Sequence, residues 1–103
     1  MRIRVTDIAE WTAGASVSVA RPATREAAGM TWDSRTIAPD DVYVALAGER
    51  VDGHVFCRQA FEAGAACALV EKDVDQETKD AAKACGAGIV RVQNTMQAVR
   101  DLA

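Results

Sequence analysis

The sequence predicts an α/β fold: a single domain with a mixed, mostly parallel β-sheet and helices on both faces. Three observations carry that prediction. Segments of helical period alternate with short apolar runs through the second half, the arrangement that yields parallel strands joined by crossovers. Those apolar runs have almost no polar interruption, as strands covered on both faces require. The chain has 103 residues, 50% of them hydrophobic, which is enough for one modest core and too little for two domains.

Residues 5–12 read as a short helix, with Thr6 as N-cap, Ile8, Ala9 and Trp11 facing the core, and Gly14 as the stop. Residues 16–20, SVSVA, alternate strictly and predict a half-exposed strand; residues 21–29, with Pro22 and Gly29, form a connection. A strand over 30–34 would put Met30, Trp32 and Ser34 on one side. Pro39, Asp40 and Asp41 make a turn ahead of a central strand over 42–46. Residues 47–53 are a glycine-punctuated loop that ends in the turn signal Asp52-Gly53. From His54 the period becomes helical, with Phe56, Cys57, Ala60 and Phe61 in one stripe that Gly64 ends. A buried strand over 66–70 follows. Asp75 then caps a helix carrying Val74, Thr78, Ala81, Ala82 and Cys85 on one face, stopped by Gly86. The last strand spans 88–92, and Asn94 caps a closing helix over 95–102 with Met96, Val99 and Leu102 inward. The less regular first half is expected to add an antiparallel or edge strand.

Composition excludes several classes of function. The net charge is -3, with acids and bases interspersed, so no nucleic-acid partner is expected. No run reaches the roughly 18 apolar residues of a membrane span. Asp7 and Glu10 interrupt the basic start before an apolar core forms, so no signal peptide is expected and the protein reads as cytoplasmic. Cys57, Cys67 and Cys85 stand with a single histidine and no CxxC pair. They suit neither a zinc site nor a disulfide framework, and are expected to be buried, reduced thiols. GxxxxGK[ST], GxGxxG, HExxH and GxSxG are all absent, so a self-sufficient enzyme is not expected.

What the residues offer is binding. Ser34 can donate a hydroxyl, and Arg35 and Arg50 can each take a phosphate bidentately from opposite loops. Backbone amides of Gly48, Glu49 and Arg50, and those at the helix start near His54, add fixed dipoles. Each feature also has a plain structural reading. Asp33 to Arg35 can be a strand end with a local ion pair, and the loop can be a tight turn that starts a helix at His54. Spacing leaves both open.

The stretch T-W-D-S-R-T-I-A-P-D-D-V-Y-V-A-L-A-G-E-R-V-D-G-H-V-F, residues 31–56, resembles the N-terminal domain of the Mur ligases, which build the peptide of the peptidoglycan precursor. The shared pattern is D-S-R, a linker with P-G-D, an aromatic-containing strand, then G-E-R-x-D-G-H and an aromatic. It departs mainly at Asp40, where the family usually has glycine. The flanks T-D-I-A-E-W-T-A-G and Q-N-T-M-Q-A-V-R-D-L-A look most like the members that add D-Ala-D-Ala to UDP-MurNAc-tripeptide, with the third-residue ligases next.

The resemblance covers essentially the whole chain and implies that residues 1–103 are the UDP-binding domain. It places Trp32, Ser34, Arg35, Gly48, Glu49, Arg50, Val51 and Asp52 against the UDP moiety of a UDP-MurNAc-peptide; Arg35 and Asp52 could instead be holding the loops in shape. It implies no catalytic residue and no metal ligand here. ATP, Mg2+ and D-Ala-D-Ala would be served by central and C-terminal domains absent from this chain, with a glycine-rich ATP loop soon after Ala103. The full-length protein is expected to be an ATP-dependent amide ligase, and the 103 residues alone to be inactive. The alternatives are the same domain of a third-residue ligase, or a non-catalytic nucleotide-sugar-binding module.

Overall fold

The structure, a computed structural model, describes residues 2–46 and 52–102. β1 (Ile3–Arg4) leads into α1 (Val5–Trp11), followed by β2 (Ala15–Ser18), β3 (Glu26–Ala27), β4 (Gly29–Thr31) and β5 (Asp41–Val44). Then come α2 (Cys57–Glu62), β6 (Cys67–Val70), α3 (Gln76–Cys85), β7 (Gly88–Arg91) and α4 (Thr95–Leu102). The main sheet has the order β2-β7-β6-β5-β4, while β1 and β3 form a separate two-stranded pair. β4, β5, β6 and β7 are parallel, and β2 closes one edge antiparallel to β7. The expected mixed, mostly parallel sheet is therefore present, with its antiparallel strand supplied by the first half.

Side chains alternate between two cores because a strand presents successive residues to opposite faces. Val42, Val44, Cys67, Leu69 and Val90 point to one face, where Ile8 of α1 and Ala98 and Leu102 of α4 cover them. Tyr43, Ala68, Val70 and Ile89 point to the other, under Cys57, Ala60 and Phe61 of α2 and Ala82 of α3. Burial on both faces explains why these strands read as unbroken apolar runs. Cys57 and Cys67 sit inside, and burial pushes both thiols up to about 12.

Local signals set most of the element ends. Asp75 accepts the Thr78 amide at 2.8 Å, Asn94 accepts the Gln97 amide at 2.9 Å, and Gly86 leaves α3 in the left-handed conformation at φ +68°. At the rim below the strands, Arg25 donates to Asp40 and to the carbonyls of Gly64, Cys85 and Gly86, tying the turn before β5 to the ends of α2 and α3. Asp40 has φ +67°. A glycine at this position would adopt that conformation without strain.

Several expectations are corrected. Trp11 is not a core anchor but is 60% exposed, because α1 buries Val5, Ile8 and Thr12 and Trp11 falls off that stripe. Thr6 does not cap α1: the N-cap is Arg4 without a side-chain bond, and the Val5 amide is taken by the Arg25 carbonyl at 2.9 Å. Met96 is 50% exposed; α4 turns Thr95, Ala98 and Leu102 inward instead, since Thr95 is pinned by Glu71. Cys85 is exposed at the last turn of α3. The strand expected over 30–34 ends at Thr31, because Asp33 bends the chain back on itself.

Candidate functional site

All four parallel strands end at one rim of the sheet, so the segments that follow them converge there. The segment after β4 is a 3-10 turn, Ser34–Thr36, built by short polar side chains. Asp33 Oδ1 accepts the Arg35 amide at 2.9 Å, the Asp33 amide donates to Thr31 Oγ1 at 3.1 Å, and Thr36 Oγ1 donates to the Asp33 carbonyl at 3.2 Å. The Arg35 guanidinium lies back on Asp33 through Nε and Nη2, both at 3.1 Å. This bidentate bond holds the Asp33 carboxyl below the usual carboxylate range and raises Arg35. Arg35 therefore makes the local ion pair that the sequence also allowed.

The segment after β5 leaves at Leu46 and returns at Asp52. Its two ends are clasped. The Gly53 amide donates to the Leu46 carbonyl at 2.7 Å, and the Tyr43 hydroxyl donates to the Gly53 carbonyl at 2.9 Å. Burial, as the chief cause, pushes the Tyr43 phenol up to about 12. A Cβ on Gly53 would stand 2.8 Å from the Leu46 nitrogen and 2.9 Å from its oxygen, so the clasp requires glycine for want of space. Gly48, Glu49, Arg50 and Val51 lie outside the described residues.

Between the two segments is a groove of about 750 Å³. Trp32, Ser34 and Arg35 line it from the first segment, Leu46 and Gly53 from the ends of the second, and Tyr43, Phe56 and Gln59 from its floor and far wall. Trp32 is 64% exposed, an aromatic face open for stacking in a groove that also has polar edges. Ser34 reaches the groove beside it although the strand periodicity that suggested their pairing is absent; the turn brings them together instead. Tyr43, Phe56 and Gln59 were not anticipated as lining. Tyr43 and Phe56 read as core because they are apolar within apolar runs, and a single polar residue on an exposed helix face carries no distinctive signal.

Asp52 faces away from this groove, into a charged cleft of about 300 Å³ shared with His54, Arg58 and Lys72. Its Oδ1 accepts the His54 amide at 3.0 Å and His54 Nδ1 at 2.6 Å, and its Oδ2 accepts the Lys72 ammonium. The Lys72 bond, first among several, holds the Asp52 carboxyl far below the usual range. His54 is buried, and its Nε2 accepts the Glu71 amide at 2.9 Å. Glu71 in turn accepts the Thr95 amide and hydroxyl, at 2.9 and 2.6 Å, at the start of α4. The helix-start reading of His54 thus corresponds to a ring with both nitrogens engaged inside the fold.

Residues 26–103 match the family described as "Mur ligase family, catalytic domain". Over 92 residues the chain is 36% identical to the UDP-N-acetylmuramoyl-tripeptide--D-alanyl-D-alanine ligase of Treponema pallidum (strain Nichols), covering 87% of this chain and 20% of that protein. Over 54 residues it is 41% identical to the UDP-N-acetylmuramoyl-L-alanyl-D-glutamate--2,6-diaminopimelate ligase of Syntrophomonas wolfei, covering 52% and 11% respectively. A crystal structure of MurF from Acinetobacter baumannii superposes with a TM-score of 0.74 at 25% identity, over 99% of this chain and 20% of that one. The chain therefore spans about a fifth or less of the length of these relatives.

Proposed function

Since the chain belongs to the Mur ligase family, we propose that it is the domain by which an ATP-dependent, amide-forming ligase holds the uridine diphosphate end of UDP-MurNAc-tripeptide while D-Ala-D-Ala is added. The observation that carries the reading is the shared groove: Trp32 and Ser34 of the first segment and Leu46 and Gly53 at the ends of the second face one hollow at the strand rim. Trp32 offers a stacking face for the base, worth about 1–3 kcal/mol in comparable sites. The Ser34 hydroxyl and the Gln59 amide offer hydrogen bonds to its edge or to the ribose. Arg50 and the backbone of Gly48, Glu49 and Val51 are assigned to the ribose and diphosphate.

The described residues fit neither ATP nor Mg2+. The sequence has no GxxxxGK[ST] loop, and among the described residues no group of three His, Cys, Asp or Glu could hold a metal ion. No bond-making step is assigned to these residues. Their contribution is binding energy far from the reacting carboxylate, which positions the substrate for chemistry elsewhere. No helix among the described residues is long and apolar enough to cross a membrane.

A titration of the 15N-labelled chain with UDP-MurNAc-tripeptide tests the reading. Resonances of the Trp32 indole, Ser34, Leu46 and Gly53 should move together; shifts clustered away from the groove would place the site elsewhere. The higher identity to the diaminopimelate ligase over the 54 aligned residues supports a second reading, in which the bound substrate is UDP-MurNAc-dipeptide and the third residue is added. Turnover of the two acceptor substrates by the ligase carrying this domain separates the two.

A further inference from the structure

His54 and Asp52 belong to the most distinctive motif of the chain, yet both point away from the groove. The Glu71 amide donates to His54 Nε2 at 2.9 Å, so that nitrogen carries no proton and Nδ1 must donate to Asp52 Oδ1, 2.6 Å away. Asp52 also receives the His54 amide and, on its other oxygen, the Lys72 ammonium. Four partners on three residues engage both ring nitrogens and both Asp52 oxygens, Oδ1 twice and Oδ2 once. Asp52 is, however, the N-cap of the Gly53–Phe56 turn, and the next residue, Gly53, is itself groove wall. Glu71 and Lys72 directly follow β6, the strand adjacent to β5. Lys72 lines the cleft behind the Gly53–Phe56 turn and is not among the groove residues.

We propose that Lys72, Asp52 and His54 are positioning residues of the nucleotide groove: they fasten the start of the Gly53–Phe56 turn to the C-terminal end of β6, and Lys72 acts on affinity without touching the ligand. The proposal rests on the nucleotide-binding reading above. It follows from the chain of bonds: releasing Lys72 frees one Asp52 oxygen, loosens the carboxylate that orients His54, and so loosens the turn whose first residue walls the groove. Arg58 provides an internal comparison. It lines the same cleft and makes an ion pair of the same kind, to Glu77 at 3.0 Å, but that pair joins α2 to α3 and leaves Asp52 alone.

The probes are uridine and uridine 5′-diphosphate, titrated into the chain and into three variants. Lys72→Met should weaken both probes by the same factor, roughly three- to fivefold as expected for a partly exposed ion pair. Lys72→Arg should restore both, and Arg58→Met should change neither. Unchanged affinity in Lys72→Met would overturn the proposal. So would a loss confined to the diphosphate with uridine unaffected, because Lys72 would then be a phosphate ligand. Should the unaltered chain bind neither probe, the nucleotide reading fails and the fastening is decided in the free protein. Amide hydrogen exchange at Glu71 and Gly53 should then be faster in Lys72→Met than in Arg58→Met, and equal rates would refute it.

Discussion

Replacing Gly53 by alanine tests the clasp that shapes the groove. The added Cβ would lie 2.8 and 2.9 Å from the backbone nitrogen and oxygen of Leu46 and 3.2 Å from the Tyr43 hydroxyl. Backbone atoms cannot rotate aside, so the two segments must separate. Two bonds cross the gap, Gly53 N–H to Leu46 at 2.7 Å and Tyr43 O–H to Gly53 at 2.9 Å. Each is worth about 0.5–1.5 kcal/mol, and a Tyr43 hydroxyl left without its acceptor adds about 1–3 kcal/mol. The expected loss is therefore roughly 2–6 kcal/mol, a large share of the ~5–15 kcal/mol typical of a domain. Urea denaturation reads it as a lower midpoint with an unchanged slope. Tyr43→Phe, which removes the hydroxyl without adding bulk, should cost only about 1 kcal/mol. The double variant should cost less than the sum, since both changes remove the same bond. A Gly53→Ala loss under about 0.5 kcal/mol would mean that the segments are not clasped and that the groove lacks the wall assigned to it.

Other expectations follow from the same geometry. Trp32→Ala should leave the unfolding midpoint within about 0.5 kcal/mol of the original, because the ring is mostly exposed; uridine affinity by calorimetry should fall about 5- to 100-fold, the equivalent of one lost stacking contact. Glu71 is held below the usual carboxyl range by the Thr95 hydroxyl and then the Thr95 amide. Its contribution to stability is present above the unfolded value of about 4.3 and is lost as the pH falls through the lower folded value. Denaturation midpoints measured from pH 6 downward should accordingly drop below about pH 4, and Glu71→Gln should show a shallower drop. Asp40→Ala keeps the left-handed backbone at φ +67° and loses the Arg25 bond, and should destabilise by about 1 kcal/mol or more. Asp40→Gly loses the same bond but relieves the strain, and should be within about 1 kcal/mol of neutral by thermal unfolding.

Features governed by short-range chemistry were legible in the sequence. The alternation of strands and helices from β5 onward, the caps at Asp75 and Asn94 and the stops at Gly64 and Gly86 depend on propensity and on partners within a few residues, which one-dimensional patterns record; the short pair β1 and β3 left no such pattern. The local ion pair of Asp33 and Arg35 belongs with them, although the turn it closes was read as the end of a strand. Burial was less legible, because it depends on which face of an element meets a neighbour. Trp11 and Met96 are apolar residues beside apolar residues, and only the packing of α1 and α4 on the sheet turned Val5 and Ala98 inward in their place.

The groove and its fastening belong to the tertiary structure alone. Trp32 and Gly53 line one hollow because β4 and β5 pair in parallel, so that the segments after them leave the sheet at the same rim. His54 could be read as a ligand or as a helix start from its sequence; the partner of its Nε2, the Glu71 amide, lies 17 positions away and is visible only in the fold. Lys72 carried no signal of its own, because the carboxylate it holds lies 20 positions back along the chain. Local residues determine what a segment can form, while contacts across the sheet determine which of its polar atoms remain free for a ligand.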